Sequence, residues 1–284
     1  MKSKRNGTMA IPTKISARSV HLFRHRVYAH YKKNARDFPW RHTKNPYHIL
    51  VSEIMLQQTQ ADRVVSKYRA FLKKFPTLKS LSRSSQKEVL LFWQGLGYNR
   101  RALSLLSLAK IVTKKYGGRI PKDELLLKQL PGIGSYTAAA IVVFAYNQPA
   151  VLIETNIRTA YLYHFFEGRT EISDVELLSS IDITLDCKNP REWYQALMDY
   201  GAMLKHTVGN VSRQSKHYVK QKTFAGSSRE LRGAIVRLLL SNSVLTPHAL
   251  SRHTKRSRLE VNTELSRLLK ETFIQRKGDA VRLK

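Results

Sequence analysis

The stretch Leu130-Pro131-Gly132-Ile133-Gly134-Ser135-Tyr136-Thr137 decides how this chain is read. It lies between a helical pattern over residues 122–129 and the apolar helical run 136–146. Two glycines this close together allow positive φ and leave backbone N–H groups uncovered where a helix begins. Such an N-terminus offers unpaired donors and the positive end of the helix dipole, which together accept a phosphate. Helix, glycine turn and helix make a helix–hairpin–helix; taken alone, the same residues also fit a tight structural turn. Gly95-Leu96-Gly97-Tyr98 is a similar turn that on its own reads as structural.

Helical spacing continues on both sides. Val20, Phe23, Val27 and Tyr31 fall three or four apart, and Ile49, Leu50, Ile54 and Leu56 mark the inner side of a later helix. Phe38-Pro39-Trp40 and Asn45-Pro46 are breaks, and residues 47–75 read as two helices. Further patterns cover residues 86–92, 101–116, 156–166, 174–185 and 193–204, and no alternation long enough for a strand interrupts them. The expected fold is therefore all-α. Residues 1–16 read as a flexible basic tail, 17–205 as a domain of short helices, and 206–228 as a polar, basic linker or ordered strap. Residues 229–284 form a smaller unit, with helical patterns at 229–241, 247–254 and 259–272 followed by a hairpin turning at Gly278-Asp279. Three helices and a hairpin is the order of a winged helix-turn-helix, which places one helix in a groove. A helical cap with no DNA role fits the same pattern.

Composition narrows the partner. At 284 residues the chain has room for two domains and a sizeable core. Lys and Arg number 50 against 20 Asp and Glu, a formal charge of +30, while 42% hydrophobic residues keep the chain foldable. Residues 1–48 hold twelve Lys or Arg and one acid, Asp37; residues 205–222 hold five and none. A chain so charged attracts polyanions, of which phosphate backbones are the commonest in a cell. Acidic lipid is the alternative, but no segment reads as an amphipathic membrane anchor. One cysteine, Cys187, excludes an internal disulfide framework, a four-cysteine iron–sulfur site and a cysteine-built zinc finger. No apolar run approaches the roughly 18 residues of a membrane span, and residues 1–12 have no apolar stretch to act as a signal peptide. The expectation is a soluble intracellular monomer with no metal site, cytoplasmic and nucleoid-associated, or nuclear in a eukaryote.

Two acids sit in apolar company. Glu53 lies within Ile49-Leu50-Val51-Ser52-Glu53-Ile54-Met55-Leu56, and Glu154 follows Val151-Leu152-Ile153. Acids are rarely fully buried without a partner, and desolvation disfavours the charged form, which suits Glu53 to proton donation. Each, judged alone, also fits a partly exposed or salt-bridged helix residue.

Taken in order, Trp40-Arg41, Ser52-Glu53-Ile54-Met55-Leu56-Gln57-Gln58-Thr59, Gly95-Leu96-Gly97-Tyr98, Leu130 to Thr137 and Met198-Asp199-Tyr200-Gly201-Ala202-Met203 form one set. This set resembles the adenine DNA glycosylases of the helix–hairpin–helix (HhH-GPD) superfamily, the MutY type, over residues 20–204. Glu53 followed by Gln57-Gln58-Thr59 is its most specific part. The resemblance implies a helix–hairpin–helix glycosylase domain that flips a mispaired adenine out of duplex DNA and cuts its N-glycosidic bond. Glu53 then matches the acid that protonates adenine N7. Glu154 occupies the position of the catalytic aspartate, which stabilises the oxocarbenium sugar, and Asn156 matches the asparagine that orients this machinery. Gln58 and Tyr98 match side chains that wedge into the base stack. Thr59, Gly132, Ile133 and Gly134 fall at DNA-binding positions, and Arg41, Gln195 and Asp199 match positions near the extruded base. Tyr136 stands where bifunctional relatives carry a Schiff-base lysine; a phenol forms no imine, so lyase cleavage is not expected.

The chain departs from the family at three places. Position 154 is Glu, one methylene longer than Asp, so its oxygens would overshoot the sugar by about 1 Å unless something absorbs the difference. No cysteine follows Met203, so the family's iron–sulfur cluster is expected to be absent, with the basic run 205–222 taking over its phosphate contacts. The Nudix-like domain that reads 8-oxoguanine has no counterpart in residues 229–284, which are too few and too helical. A thymine or uracil mismatch glycosylase of the same fold, and a catalytically inert DNA-binding protein, remain as alternatives.

Overall fold

The computed structural model describes residues 15–209, 211–216 and 223–284. Most of the basic tail and the end of the 205–222 run, including Lys220 and Lys222, lie outside the described residues. The chain is helical in the order α1 (Ala17–Asn34), α2 (Pro46–Leu56), α3 (Ala61–Lys74), α4 (Leu78–Ser82), α5 (Gln86–Trp93), α6 (Arg100–Tyr116) and α7 (Glu124–Lys128). It continues through α8 (Ser135–Tyr146), α9 (Thr155–Phe165), α10 (Asp174–Thr184), α11 (Pro190–Thr207), α12 (Ser228–Ser241), α13 (Pro247–Thr254) and α14 (Arg258–Lys270). A hairpin of β1 (Ile274–Lys277) and β2 (Ala280–Leu283) follows.

Local chemistry sets most of these boundaries. Ser16, Asn45, Asp123, Ser227 and Thr246 cap helices with side-chain oxygens, and Ser85, Ser173 and Ser257 do so within capping boxes closed by Glu88, Glu176 and Glu260. Proline at the first helical position starts α2, α11 and α13. Pro190 accordingly begins α11 three residues before the periodicity at Trp193 suggests. The five-residue α4, nucleated by a Thr77–Ser80 capping box, is too short for hydrophobic spacing to reveal.

The helices gather into two compact units, one of Met1–Asp37 with Asn147–Val219, the other of Phe38–Tyr146 with Lys220–Lys284. Residues 17–205 thus contribute to both. In the first unit α1 lays its buried face on α9 and α11: Phe23 meets the rings of Tyr161 and Phe165 of α9 and of Trp193 of α11 edge-on at 4.9–5.8 Å. Arg24 of α1 closes the end of α10 by donating to the Thr184 and Leu185 carbonyls at 3.0 and 2.6 Å. Helices α9 and α11 meet backbone to backbone, because a Cβ at Gly201 would fall 1.9 Å from the Asn156 carbonyl oxygen.

In the second unit α2 and α8 pack against each other and are apolar almost all round, as centrally placed helices must be. The C-terminal helices α12–α14 and the hairpin belong to this unit. Arg232 of α12 ties them together, donating to Glu264 at 3.3 Å and Glu271 at 2.6 Å while lying 4.7 Å over the buried Phe273 ring. Leu245 and Val281 exchange two backbone hydrogen bonds, adding a third extended segment to the hairpin. The three-helix and hairpin order expected of a winged helix-turn-helix is present. Among the described residues, no helix is long and apolar enough to cross a membrane.

Candidate active site

The second unit carries Glu53, Gln58, Thr59, Tyr98, Gly132, Ile133, Gly134, Tyr136 and Arg41; the first carries Glu154, Asn156, Gln195 and Asp199.

Glu53 lies in the last turns of α2, only 6% exposed, on a helix that buries seven of its neighbours. Four residues on, Gln57 donates to the Thr137 hydroxyl of α8 at 3.2 Å, which holds the end of α2 to the second helix of the hairpin motif. Gln58 is exposed and adopts φ 54°, and Tyr98 is exposed with φ 45°. Non-glycine residues held in this region cost about 1–3 kcal/mol each and cluster at ligand clamps. Arg101 imposes the geometry. Its Nη1 donates to the carbonyls of Ile54, Met55 and Gln57, and its Nη2 to the Thr59 hydroxyl and the carbonyls of Leu96 and Gly97. The guanidinium also lies 5.5 Å from the ring centroids of both Trp93 and Tyr98, and burial lowers its pKa to about 10. The Thr59 hydroxyl is therefore engaged within this clamp. In the sequence Arg101 is one of 50 basic residues, and nothing in its spacing separates it from the rest.

At the glycine turn, only Gly132 takes positive φ, at 80°, and a Cβ there would meet the Ser104 side chain at 2.8 Å. Gly134 has neither requirement; it lies exposed at the start of α8. Ile133 is buried and its N–H donates to the Leu130 carbonyl, so its role is to hold the turn. Ser135, Tyr136 and Thr137 form the first turn of α8, at the positive end of the helix dipole. Tyr136 itself is half-buried there. Arg41 lies in a single helical turn at Pro39–Arg41, 5.5 Å over the Phe38 ring, with Trp40 stacked on the same ring at 5.0 Å.

In the first unit Glu154 is the N-cap of α9. Its Oε1 accepts from the Ile157 N–H at 2.7 Å, and its Oε2 accepts from Asn156 Nδ2 at 3.2 Å. The bond to Ile157 spans the same distance along the helix as the cap that Asp123 makes to the Leu126 N–H of α7. Although half-buried by exposure, the carboxyl is so closely packed that desolvation raises its pKa; hydrogen bonds at Asn156 and Ile157 and the charges of Arg36 and Lys205 act in the opposite sense. Asp199 on α11 is buried and accepts from Arg36, at 2.5 Å from Nε and 2.9 Å from the backbone N–H. Gln195 accepts from the Tyr31 hydroxyl at 3.0 Å. Gln195 is thus tied to α1 and Asp199 to the segment that follows it, an involvement that α-helical spacing did not disclose.

The residues after α11 do not fit an iron–sulfur cluster. The sequence has one cysteine, Cys187, and it is exposed before α11. Where cluster ligands would follow Met203, a short turn at Val211–Gln214 leads to Ser215, which is pinned beside Ile172. The Ile172 N–H donates to the Gln214 carbonyl and the Lys216 N–H to the Ile172 carbonyl, both at 3.1 Å, while Arg158 donates to the Ser215 hydroxyl at 3.0 Å. Among the described residues no group of three or more His, Cys, Asp or Glu is placed to hold a metal ion.

Comparison with known proteins places this geometry in context. Residues 51–179 match the family model described as HhH-GPD superfamily base excision DNA repair protein. The chain is 33% identical over 196 residues to an adenine DNA glycosylase of Buchnera aphidicola subsp. Baizongia pistaciae, covering 66% of this chain and 56% of that protein. It is 31% identical over 234 residues to an adenine DNA glycosylase of Mycolicibacterium smegmatis, covering 74% and 77%. The structure of a thermostable thymine-DNA glycosylase superposes with a TM-score of 0.61 at 28% identity, covering 67% of this chain and 89% of that one. The chain spans about half the length of several curated relatives that it matches.

Proposed function

Because the chain belongs to the HhH-GPD superfamily of base excision DNA repair proteins, we propose that it is a monofunctional DNA glycosylase that removes mispaired adenine from duplex DNA. The observation that carries this reading is the carboxylate of Glu154, desolvated yet fixed by Ile157 and Asn156 at the N-terminus of α9. A carboxylate so held stabilises a cationic sugar without reorganising as the charge develops. In the reaction Glu53 gives its proton to N7 of the flipped adenine, the C1′–N9 bond breaks with its electron pair going to the base, and the ring oxygen shares the resulting positive charge. Water adds to C1′ and loses a proton to Glu154. Tyr136 offers no amine, so the product is an abasic site with the strand intact. Gln58 and Tyr98 fill the vacated stack, and the N-terminus of α8 at the exposed Gly134 takes a backbone phosphate. The enzyme acts as a monomer and needs no iron–sulfur cluster.

Removal of thymine or uracil is the second reading, supported by the 28% identity to the thymine-DNA glycosylase and by the equal suitability of Tyr136. Duplexes bearing A·8-oxoguanine, A·G, A·C, U·G or T·G, incubated with the protein and then treated with alkali, separate the two. Strand scission at A opposite 8-oxoguanine or G is the expected result, lost in Glu53→Gln with duplex binding retained. Scission confined to U·G and T·G would replace adenine by a pyrimidine. An unchanged single-turnover rate in Glu53→Gln would remove that residue from the chemistry.

A further inference from the structure

We propose that the C-terminal helices and hairpin read base sequence in undamaged duplex DNA, with α14 as the recognition helix and the β1–β2 turn as a backbone contact. Helices α13 and α14 are joined by three residues, Lys255-Arg256-Ser257, of which Lys255 is left-handed at φ 53°. A turn this short directs α14 across α13 as in a helix-turn-helix, whose second helix enters the major groove. One face of α14 is fixed inward: Val261, Leu265 and Leu268 are buried, and the buried Glu264 is held by Arg232 and Arg267. Away from that face Leu259, Asn262 and Ser266 are spaced three and four apart and all exposed, and Arg258 is exposed beside them in the first turn.

That face has the chemistry of base-edge recognition. Arginine pairs with guanine, asparagine with adenine, and an apolar group with the thymine methyl. Leu259, at 78% the most exposed large hydrophobic among the described residues, has no packing role to explain it. The charge balance favours nucleic acid over a protein groove. Residues 228–284 hold thirteen Lys or Arg and five acids: Glu230, Glu260, Glu264, Glu271 and Asp279. The first four are engaged internally, Glu230 by the Gly226 N–H, Glu260 by Ser257, and Glu264 and Glu271 by Arg232. Arg276 and Lys277 lead exposed into the hairpin turn at Gly278-Asp279, placed as a wing that contacts phosphates.

The test uses the full chain on random, undamaged duplexes, so it does not depend on excision. Bound duplexes are enriched and sequenced, and affinity for the enriched sequence is measured against random duplex at several salt concentrations. The parent chain should enrich a short sequence. The double variant Leu259→Ala, Asn262→Ala, both at exposed positions, should lose that preference by roughly tenfold or more, keep its affinity for random duplex and keep its Tm. The double variant Arg276→Ala, Lys277→Ala should weaken binding to all sequences alike and reduce the slope of log K against log salt by about 2. No enrichment by the parent, equal enrichment by the first variant, an unaltered slope in the second, or tighter binding to single-stranded RNA than to duplex would each overturn the proposal.

Discussion

In the proposed reaction Glu154 stabilises a cationic sugar as a carboxylate, yet it is packed where ionisation is disfavoured. The N-terminus of α9 reconciles these demands only in part, since burial still raises its pKa above the ordinary carboxylate value. Two effects follow, both in the interval between that ordinary value and the raised one. Excision falls as pH drops through the raised value, because the protonated acid no longer stabilises the sugar. Stability moves the other way: the unfolded chain ionises more easily, so folding weakens as pH rises across this interval. Glu154→Gln removes both, so its excision rate is at least about a hundredfold lower and its Tm declines less from acid to neutral pH than the parent's. Parallel Tm–pH curves for the two proteins would contradict the assigned burial. Gly201 sets the limit on the other side of α9. An added methyl group must displace the first turn that carries Asn156, so Gly201→Ala should cost about 3 kcal/mol in urea unfolding and slow excision as well. An unchanged urea midpoint would show that α9 and α11 can separate freely.

At the scale of elements, one arginine organises two loops. The Gln58 loop follows α2 and the Tyr98 loop precedes α6, and Arg101 on α6 binds carbonyls from both. Two residues with positive φ stay in place only because their surroundings over-determine them. Arg101→Met should therefore lower stability by about 3 kcal/mol or more, since several buried carbonyls lose their donor together. It should also reduce single-turnover excision more than duplex affinity, with Arg101→Lys recovering part of both. Full activity in Arg101→Met would detach the clamp from the proposed roles of Gln58 and Tyr98. These elements differ in how far the sequence reveals them. The helices were legible because their apolar residues repeat at 3.6 and their ends carry serine, threonine or proline. Arg101 was not, because a clamp built from main-chain carbonyls leaves no pattern in side-chain identity. Glu154 was legible as an acid in apolar company, but not as an N-cap, since glutamate is an unusual residue there.

Across the whole molecule, the motif residues from Trp40 to Met203 were recognisable in linear order, whereas their distribution over two compact units was not. Periodicity reports which face of a helix is inward and is silent on which distant helix meets it. The residues after α11 illustrate the same limit. Their polar composition suggested a linker or strap, and only the pairing of Ser215 with Ile172 shows how that segment is fastened. Iron ligands can be counted in a sequence; hydrogen bonds between main-chain atoms cannot. The interleaving of the units bears on how the protein is made. Helix α1 leaves the ribosome before α10, since the carbonyls that receive Arg24 lie 160 and 161 positions further on, and α11 is later still. Until they are synthesised, the apolar stripe of Phe23 and Val27 has no native surface to cover it, so the nascent chain must keep this helix from aggregating while the 160 positions from Arg24 to its partner are translated.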